Sequence, residues 1–249
     1  MKRHFALLVA GLVGVLVLAG QLARAAAPVN AVPNDSLPYW SWDARQLAFQ
    51  RESPRADNGH VLFSAAGHGG ESDVVGSGQA RGWRPGGDEL LVQSGGLTTV
   101  RDAADRQVGS VPGTDATWSP DGGRIAYLKG DALYVASATG ADERLLRAGI
   151  SLPAPDLTGP IWSPDGTEIA FQQTQSQGVR VIKANGTSQT VTDAAVSLQS
   201  WSPDGRRLLV IATPAGHLPG DLQVIDAASG AVLQTLASNA VDASWQRSR

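Results

Sequence analysis

The chain has 249 residues, is 42% apolar and 17% charged, and contains no cysteine. That length suits one large all-β domain or two ordinary ones, and without cysteine an exported fold is held by burial and hydrogen bonding rather than disulfides. The formal charge is −3 with no run of Lys or Arg, which argues against a nucleic-acid partner.

The first segment opens Met1-Lys2-Arg3-His4, runs apolar from Phe5 to Ala19 and reaches Leu22-Ala23-Arg24-Ala25-Ala26. A basic start, an apolar run of about 15 residues and an Ala-x-Ala site form a secretory signal. Cleavage is expected after Ala25, because Pro28 would sit badly just behind a cut at Ala27. The apolar run is short for a stable span of about 20 residues; an uncleaved N-terminal membrane anchor is the alternative. No cysteine follows the run, so a lipid-anchored lipoprotein is not expected. The expected location is periplasmic or secreted, with no stable membrane span after cleavage. Losing Lys2, Arg3 and Arg24 with residues 1–25 takes the formal charge from −3 to −6. Residues 26–36 read as a short extension, and residues 37–249 as one repeat domain.

The repeat emerges on aligning tryptophans. WSWDARQLAF starts at Trp40, WRPGGDELLV at Trp83, WSPDGGRIAY at Trp118, WSPDGTEIAF at Trp162 and WSPDGRRLLV at Trp201, and Trp245 follows in DASWQRSR. The spacings are 43, 35, 44, 39 and 44 residues, so six of the seven tryptophans hold one repeat position. After each turn comes a short apolar run such as RIAYLK, then an alternating run such as DALYVASATG, then a fourth short segment. The β-branched and aromatic content and period-two alternation predict four short antiparallel strands per unit. A unit of about 41 residues is the size of a β-propeller blade. Five complete units fill residues 37–237, and residues 238–249 supply the first strand of a partial sixth. Either five blades close a ring, with the Trp245 strand latching onto the first blade or the N-terminal segment, or the ring is six-fold and its last blade incomplete or filled by a partner.

Trp-Ser-Pro-Asp-Gly itself reads as a backbone device. Proline pre-sets φ, serine caps, and glycine takes positive φ, which together predict a type I turn with a bulge between the first two strands. Asp121, Asp165 and Asp204 then need no catalytic role, and the repeat tryptophans are expected in the core between blades. The pentapeptide followed by x-x-Ile-Ala-Phe/Tyr, and by a strand ending in x-x-x-Gly, resembles the WD-repeat-like unit of the TolB-like β-propellers over residues 37–245. Trp118, Trp162 and Trp201 match fully. The first unit has Ser41-Trp42-Asp43-Ala44, and the second has Arg84-Pro85-Gly86-Gly87 without the aspartate. The resemblance implies an all-β propeller, an envelope or extracellular scaffold, and a protein or peptide partner.

The resemblance also raises a peptidase, since such propellers occur in prolyl-oligopeptidase-like enzymes. No Gly-x-Ser-x-Gly elbow occurs, and Gly76-Ser77-Gly78 and Ala138-Thr139-Gly140 fail that pattern. A non-catalytic binding scaffold, without catalytic or cofactor-binding residues, is therefore the leading expectation. The alternative is a metal-dependent lyase or lactonase with its site in the central funnel. His60 and His68 flank a hairpin and His217 lies in the loop TPAGHLPGD; lone loop histidines suggest no metal site. Calcium held by Asp115 and Asp242, each three residues before its tryptophan, is the remaining metal option. Arg81, Asp115, Gln199 and Asp242 on first strands are expected to line the channel, and the glycine-rich loops with His68 and His217 are further contact candidates. Asn185-Gly186-Thr187 fits a glycosylation sequon but reads better as a turn. A carbohydrate module would need exposed aromatic rings, which are scarce if the tryptophans are buried.

Overall fold

The computed structural model describes residues 15–17, 35–52, 60–66, 72–150, 159–173, 178–183, 187–194, 196–213 and 218–245. Among them are five four-stranded antiparallel sheets, each with its strands paired in chain order, and one two-stranded sheet. The first blade comprises Asp35–Trp40, Gln46–Glu52, His60–Ala66 and Ser72–Ser77. The second comprises Gln79–Trp83, Leu90–Ser94, Leu97–Arg101 and Gln107–Val111, and the third Thr114–Trp118, Arg124–Lys129, Ala132–Ser137 and Arg144–Arg147. The fourth comprises Ile161–Trp162, Glu168–Gln173, Gly178–Lys183 and Ser188–Thr192, and the fifth Val196–Trp201, Arg207–Ala212, Gly220–Asp226 and Val232–Ala240. Ala243–Trp245 begins a sixth and pairs antiparallel with Val15–Val17. The described residues contain no helix, and none that could cross a membrane.

The chain divides into two compact units, one holding residues 25–149 and the other the described residues outside that range. The first strand of the first blade begins at Asp35.

Why second strands read as unbroken apolar runs is clear from their burial. Ile125, Ala126, Tyr127 and Leu128 are all 4% exposed or less, because both faces of a blade's middle are covered. Fourth strands carry exposed apolar residues instead, such as Leu145, Val232 and Leu233. In the first unit Leu91, Val100 and Val111 of the second blade pack with Trp118, Ile125 and Tyr127 of the third. In the other, Ala170, Val181 and Val191 of the fourth blade pack with Leu198, Trp201 and Leu208 of the fifth.

The pentapeptide folds as its composition predicts. Gly122 N–H donates to Ser119 O at 2.8 Å with Gly122 at φ 67°. Ser119 Oγ donates to Asp121 Oδ1 at 2.5 Å, Gly123 N–H to the same oxygen at 3.0 Å, and Arg124 N–H back to Ser119 Oγ at 2.9 Å. The set recurs around Ser163 and Asp165 and around Ser202 and Asp204. The first unit forms the same turn with Ser41 and Asp43, and Ala44 takes the left-handed position at φ 57°. An L-residue there carries about 1–2 kcal/mol of strain, partly offset because glycine is looser when unfolded. Ala44→Gly is accordingly expected to stabilise by about 0.5 kcal/mol in urea unfolding.

In the second unit Arg84 replaces the capping serine and works between blades. Its guanidinium pairs with Glu89 at 2.6 Å, donates from Nε to Gly122 O at 2.8 Å, and lies 5.7 Å from the Trp118 ring centre. Three tryptophans tie their blade to the one before. Trp83, Trp118 and Trp201 donate their indole N–H to Tyr39 O, Gly82 O and Ile161 O, at 2.9, 3.2 and 3.0 Å. Each acceptor immediately precedes the previous tryptophan.

Trp40 corrects the expectation that all repeat tryptophans are buried. It is 53% exposed and Trp42 is 59% exposed, since within residues 25–149 no blade precedes the first. Trp118, Trp162, Trp201 and Trp245 are 8% exposed or less, and Trp83 is half-buried. Exposed aromatic surface is therefore larger than the sequence suggested.

Candidate functional site

A bulge recurs on the first strands. Pairing with the second strand slips between Ser36 and Tyr39, between Ala80 and Gly82, between Thr114 and Thr117, and between Leu198 and Ser200. A bulge leaves a residue off the ladder and re-aims its side chain. The residues so released include Arg81, Asp115 and Gln199, three of the four predicted first-strand site residues. The sequence placed them on first strands, Asp115 by its offset from Trp118, but did not show the bulges that free them.

The structure brings Arg81 and Asp115 together. Arg81 Nη2 lies 2.8 Å from Asp115 Oδ1, with the side chains 20% and 31% exposed. Thr114 Oγ1 donates to Asp115 Oδ2 at 2.9 Å, and Asp115 N–H donates to Gln93 Oε1 at 2.7 Å. Arg81 Nε is buried without a hydrogen-bond partner, and Asp115 sits at φ 54°. Backbone held in this sparsely populated region persists only where its surroundings enforce it, and such positions cluster at binding sites. The carboxylate has both oxygens engaged by donors within the protein, an arrangement that positions the pair.

Gln199 belongs to the other unit. Its Nε2 donates to Ser197 Oγ at 2.9 Å and its Oε1 accepts Ala243 N–H at 3.2 Å, so it bridges the fifth blade to the partial sixth. Asp242 is exposed beside that strand. His68 and His217, with Gly186 and Asn185 of the sequon, lie outside the described residues. Among the described residues no three His, Asp or Glu side chains gather as metal ligands.

Sequence reasoning missed a set of glutamines ten residues after the tryptophans. Gln50 Nε2 donates to Gly78 O at 3.1 Å, Gln93 accepts from Asp115, and Gln172 both donates to Val196 O and accepts Leu198 N–H at 3.1 Å. Each reaches from a second strand to the backbone at or just before the first strand of the next blade. Their equal offset was the available signal.

The turn aspartates are electrostatically tuned but structural. The Ser202 hydroxyl, then Arg206 N–H and Arg207, hold the Asp204 carboxyl at about 2 against an ordinary 3.8. Asp121 and Asp165 are lowered too, chiefly by the Ser119 and Ser163 hydroxyls. A folded-state value below the unfolded one stabilises above pH 3.8 and loses that contribution as pH falls through the folded value. The denaturation midpoint is expected to fall between about pH 4 and pH 2, and Asp204→Asn to flatten part of the slope. With the side chain 43% exposed, that share is about 1 kcal/mol after solvent screening.

The fold is that of a TolB-like β-propeller. The chain superposes on TolB from Acinetobacter baumannii with a TM-score of 0.53 at 16% identity, covering 86% of this chain and 58% of that one. It superposes on the Porphyromonas gingivalis dipeptidyl peptidase 4 with a TM-score of 0.54 at 15% identity, covering 82% of this chain and 37% of that one. In sequence it is 33% identical over 113 residues to the uncharacterized peptidase YuxL of Bacillus subtilis strain 168, which is 40% of this chain and 17% of that protein. No family model matches. These findings overturn the expectation that the chain is not an enzyme: its sequence relative is named a peptidase, and its fold is shared with a dipeptidyl peptidase. The missing Gly-x-Ser-x-Gly elbow tested one nucleophile motif, which is too narrow a ground for excluding activity.

Proposed function

We propose that this chain is an exported β-propeller that binds an extended segment of a partner protein or peptide in the envelope or extracellular space. The observation that carries this reading is the first-strand bulge of the second and third blades, which turns Arg81 and Asp115 off the ladder, where Thr114 and Gln93 brace them. Two adjacent blades displaying hydrogen-bond donors and acceptors in fixed positions suit a polypeptide, whose backbone offers both along its length. The signal-like start supports export. Affinity capture with cross-linking should recover a partner with the wild-type chain and lose it with Arg81→Met combined with Asp115→Asn. Recovery unchanged by that pair would sink the reading. Intact mass of the exported form should correspond to a chain beginning at Ala26.

The relative named a peptidase supports a second reading, in which the bound polypeptide is a substrate. Incubation of the purified chain with a mixed peptide library would read out cleavage by mass spectrometry. Products absent from a heat-denatured control favour this reading; an unchanged library disfavours it.

A further inference from the structure

In every complete blade the repeat tryptophan pairs with an apolar residue of the second strand. The pairs are Trp40 with Leu47, Trp83 with Leu90, Trp118 with Ile125, Trp162 with Ile169 and Trp201 with Leu208. From that residue the second strand continues Leu90-Leu91-Val92 in the second blade and Leu208-Leu209-Val210 in the fifth. The partial sixth blade repeats this register with a segment from elsewhere in the chain. Val15 pairs with Trp245, Leu16 with Ser244 and Val17 with Ala243, so Val15-Leu16-Val17 stands where Leu-Leu-Val stands in the complete blades.

The first strand of that sixth blade is firmly seated on the fifth. Trp245 and Ala243 are buried with Leu209, Ile211 and Leu222. Ala243 N–H donates to Gln199 Oε1 at 3.2 Å and Trp245 N–H to Ser200 Oγ at 3.4 Å. Because backbone groups alternate along a strand, the Ser244 N–H and C=O face the opposite edge, toward Leu16. An open strand edge of this kind is a template for pairing.

We infer that Ala243–Trp245 is a strand acceptor for an extended apolar segment of the Val/Leu-Leu-Val type, masked by Val15–Val17 in the full chain and opened to a partner's strand when the leader is removed. The masking rests on the sequence match and shared register above; the opening rests on the proposed export. The strand added is main-chain paired, so affinity comes from the ladder and selectivity from the apolar residues that alternate along it.

A fluorescently labelled peptide of residues 88–94, Asp-Glu-Leu-Leu-Val-Gln-Ser, is a soluble probe whose Leu90 would take the place of Val15. The full chain carrying Leu16→Pro should bind it about tenfold or more tighter than the wild-type full chain, because proline breaks the masking ladder. Adding Ser244→Pro, which removes the N–H facing the edge at an exposed residue, should abolish the gain. A probe with Leu91→Pro should fail against the unaltered acceptor, which keeps the test valid if Ser244→Pro harms folding. Equal binding of both probes, or no gain from Leu16→Pro in a chain that still melts cooperatively, overturns the acceptor. If the exported chain keeps Met1 by intact mass while Leu16→Pro still gains the probe, the acceptor stands and the export reading fails.

Discussion

Gly140→Ala and Gly230→Ala are each expected to destabilise their unit by about 3 kcal/mol or more. Both glycines sit in the turn between third and fourth strands, at φ 87° and 70°. There an L-residue carries about 1–2 kcal/mol of strain before any contact is considered. A Cβ on Gly140 would lie 1.8 Å from Ser110 O of the preceding blade, and one on Gly230 1.8 Å from Val191 O of its preceding blade. Those are backbone atoms fixed in fourth strands, so relief requires the turn to lift off its neighbour, and overpacking of this sort adds roughly 1–3 kcal/mol. The lift would also strain the bond from Ser110 N–H to Thr139 O, 3.3 Å long. Gly95→Ala is the internal control, since Gly95 has φ 57° with open space around it and should lose only the strain, about 1 kcal/mol. Urea unfolding of the three variants reads the difference; equal losses would show that the close approach contributes nothing.

Gln172→Leu should cost about 2–4 kcal/mol, although leucine fills nearly the same volume. Gln172 is 4% exposed, and its amide satisfies Val196 O and Leu198 N–H at once. Leucine removes both of these bonds, and each buried polar group that loses its bond costs roughly 1–3 kcal/mol. The fold itself supplies the contrast: Leu128 and Ile211 hold the same offset from Trp118 and Trp201 in the third and fifth blades. Ile211 is fully buried and packs with Ala243 and Trp245, so where the next strand is held otherwise the position can be apolar. Gln172→Glu is the second arm, because a carboxylate can accept from Leu198 but cannot donate to Val196 until protonated. Its loss should shrink as pH falls toward the carboxyl's own range. A Gln172→Leu variant as stable as wild type would show that the bridge contributes no net stability.

These expectations separate what was readable from what was not. The Ser-Pro-Asp-Gly turn was legible because its hydrogen bonds all close within six residues, from Ser119 to Arg124. Arg81 and Gln199 were placed because the repeat puts them on first strands, and Asp115 because it stands three residues before Trp118. The Arg81–Asp115 pair and the Gln93 brace were not legible, because they join residues 34 and 22 positions apart. The glycine ending the third segment was visible as a recurring letter. Only the fourth strand of the preceding blade, pressed against Gly140 and Gly230, says why alanine cannot stand there. Trp40 was misjudged for the same reason: its sequence context matches the buried tryptophans, and burial depends on what lies beside the blade.

By itself, the sequence determined the repeat, the four-strand unit, the turn between its first two strands and the partial sixth copy at Trp245. Those features are set by local φ preferences, period-two alternation and spacing, all properties of contiguous residues. Tertiary structure decided which tryptophans are covered, which glutamines bridge blades, how Arg81 meets Asp115, and that Val15–Val17 lies in the second-strand register of Trp245. Each of these depends on which segments the fold lays side by side, where desolvation and unpaired backbone groups exact their energies.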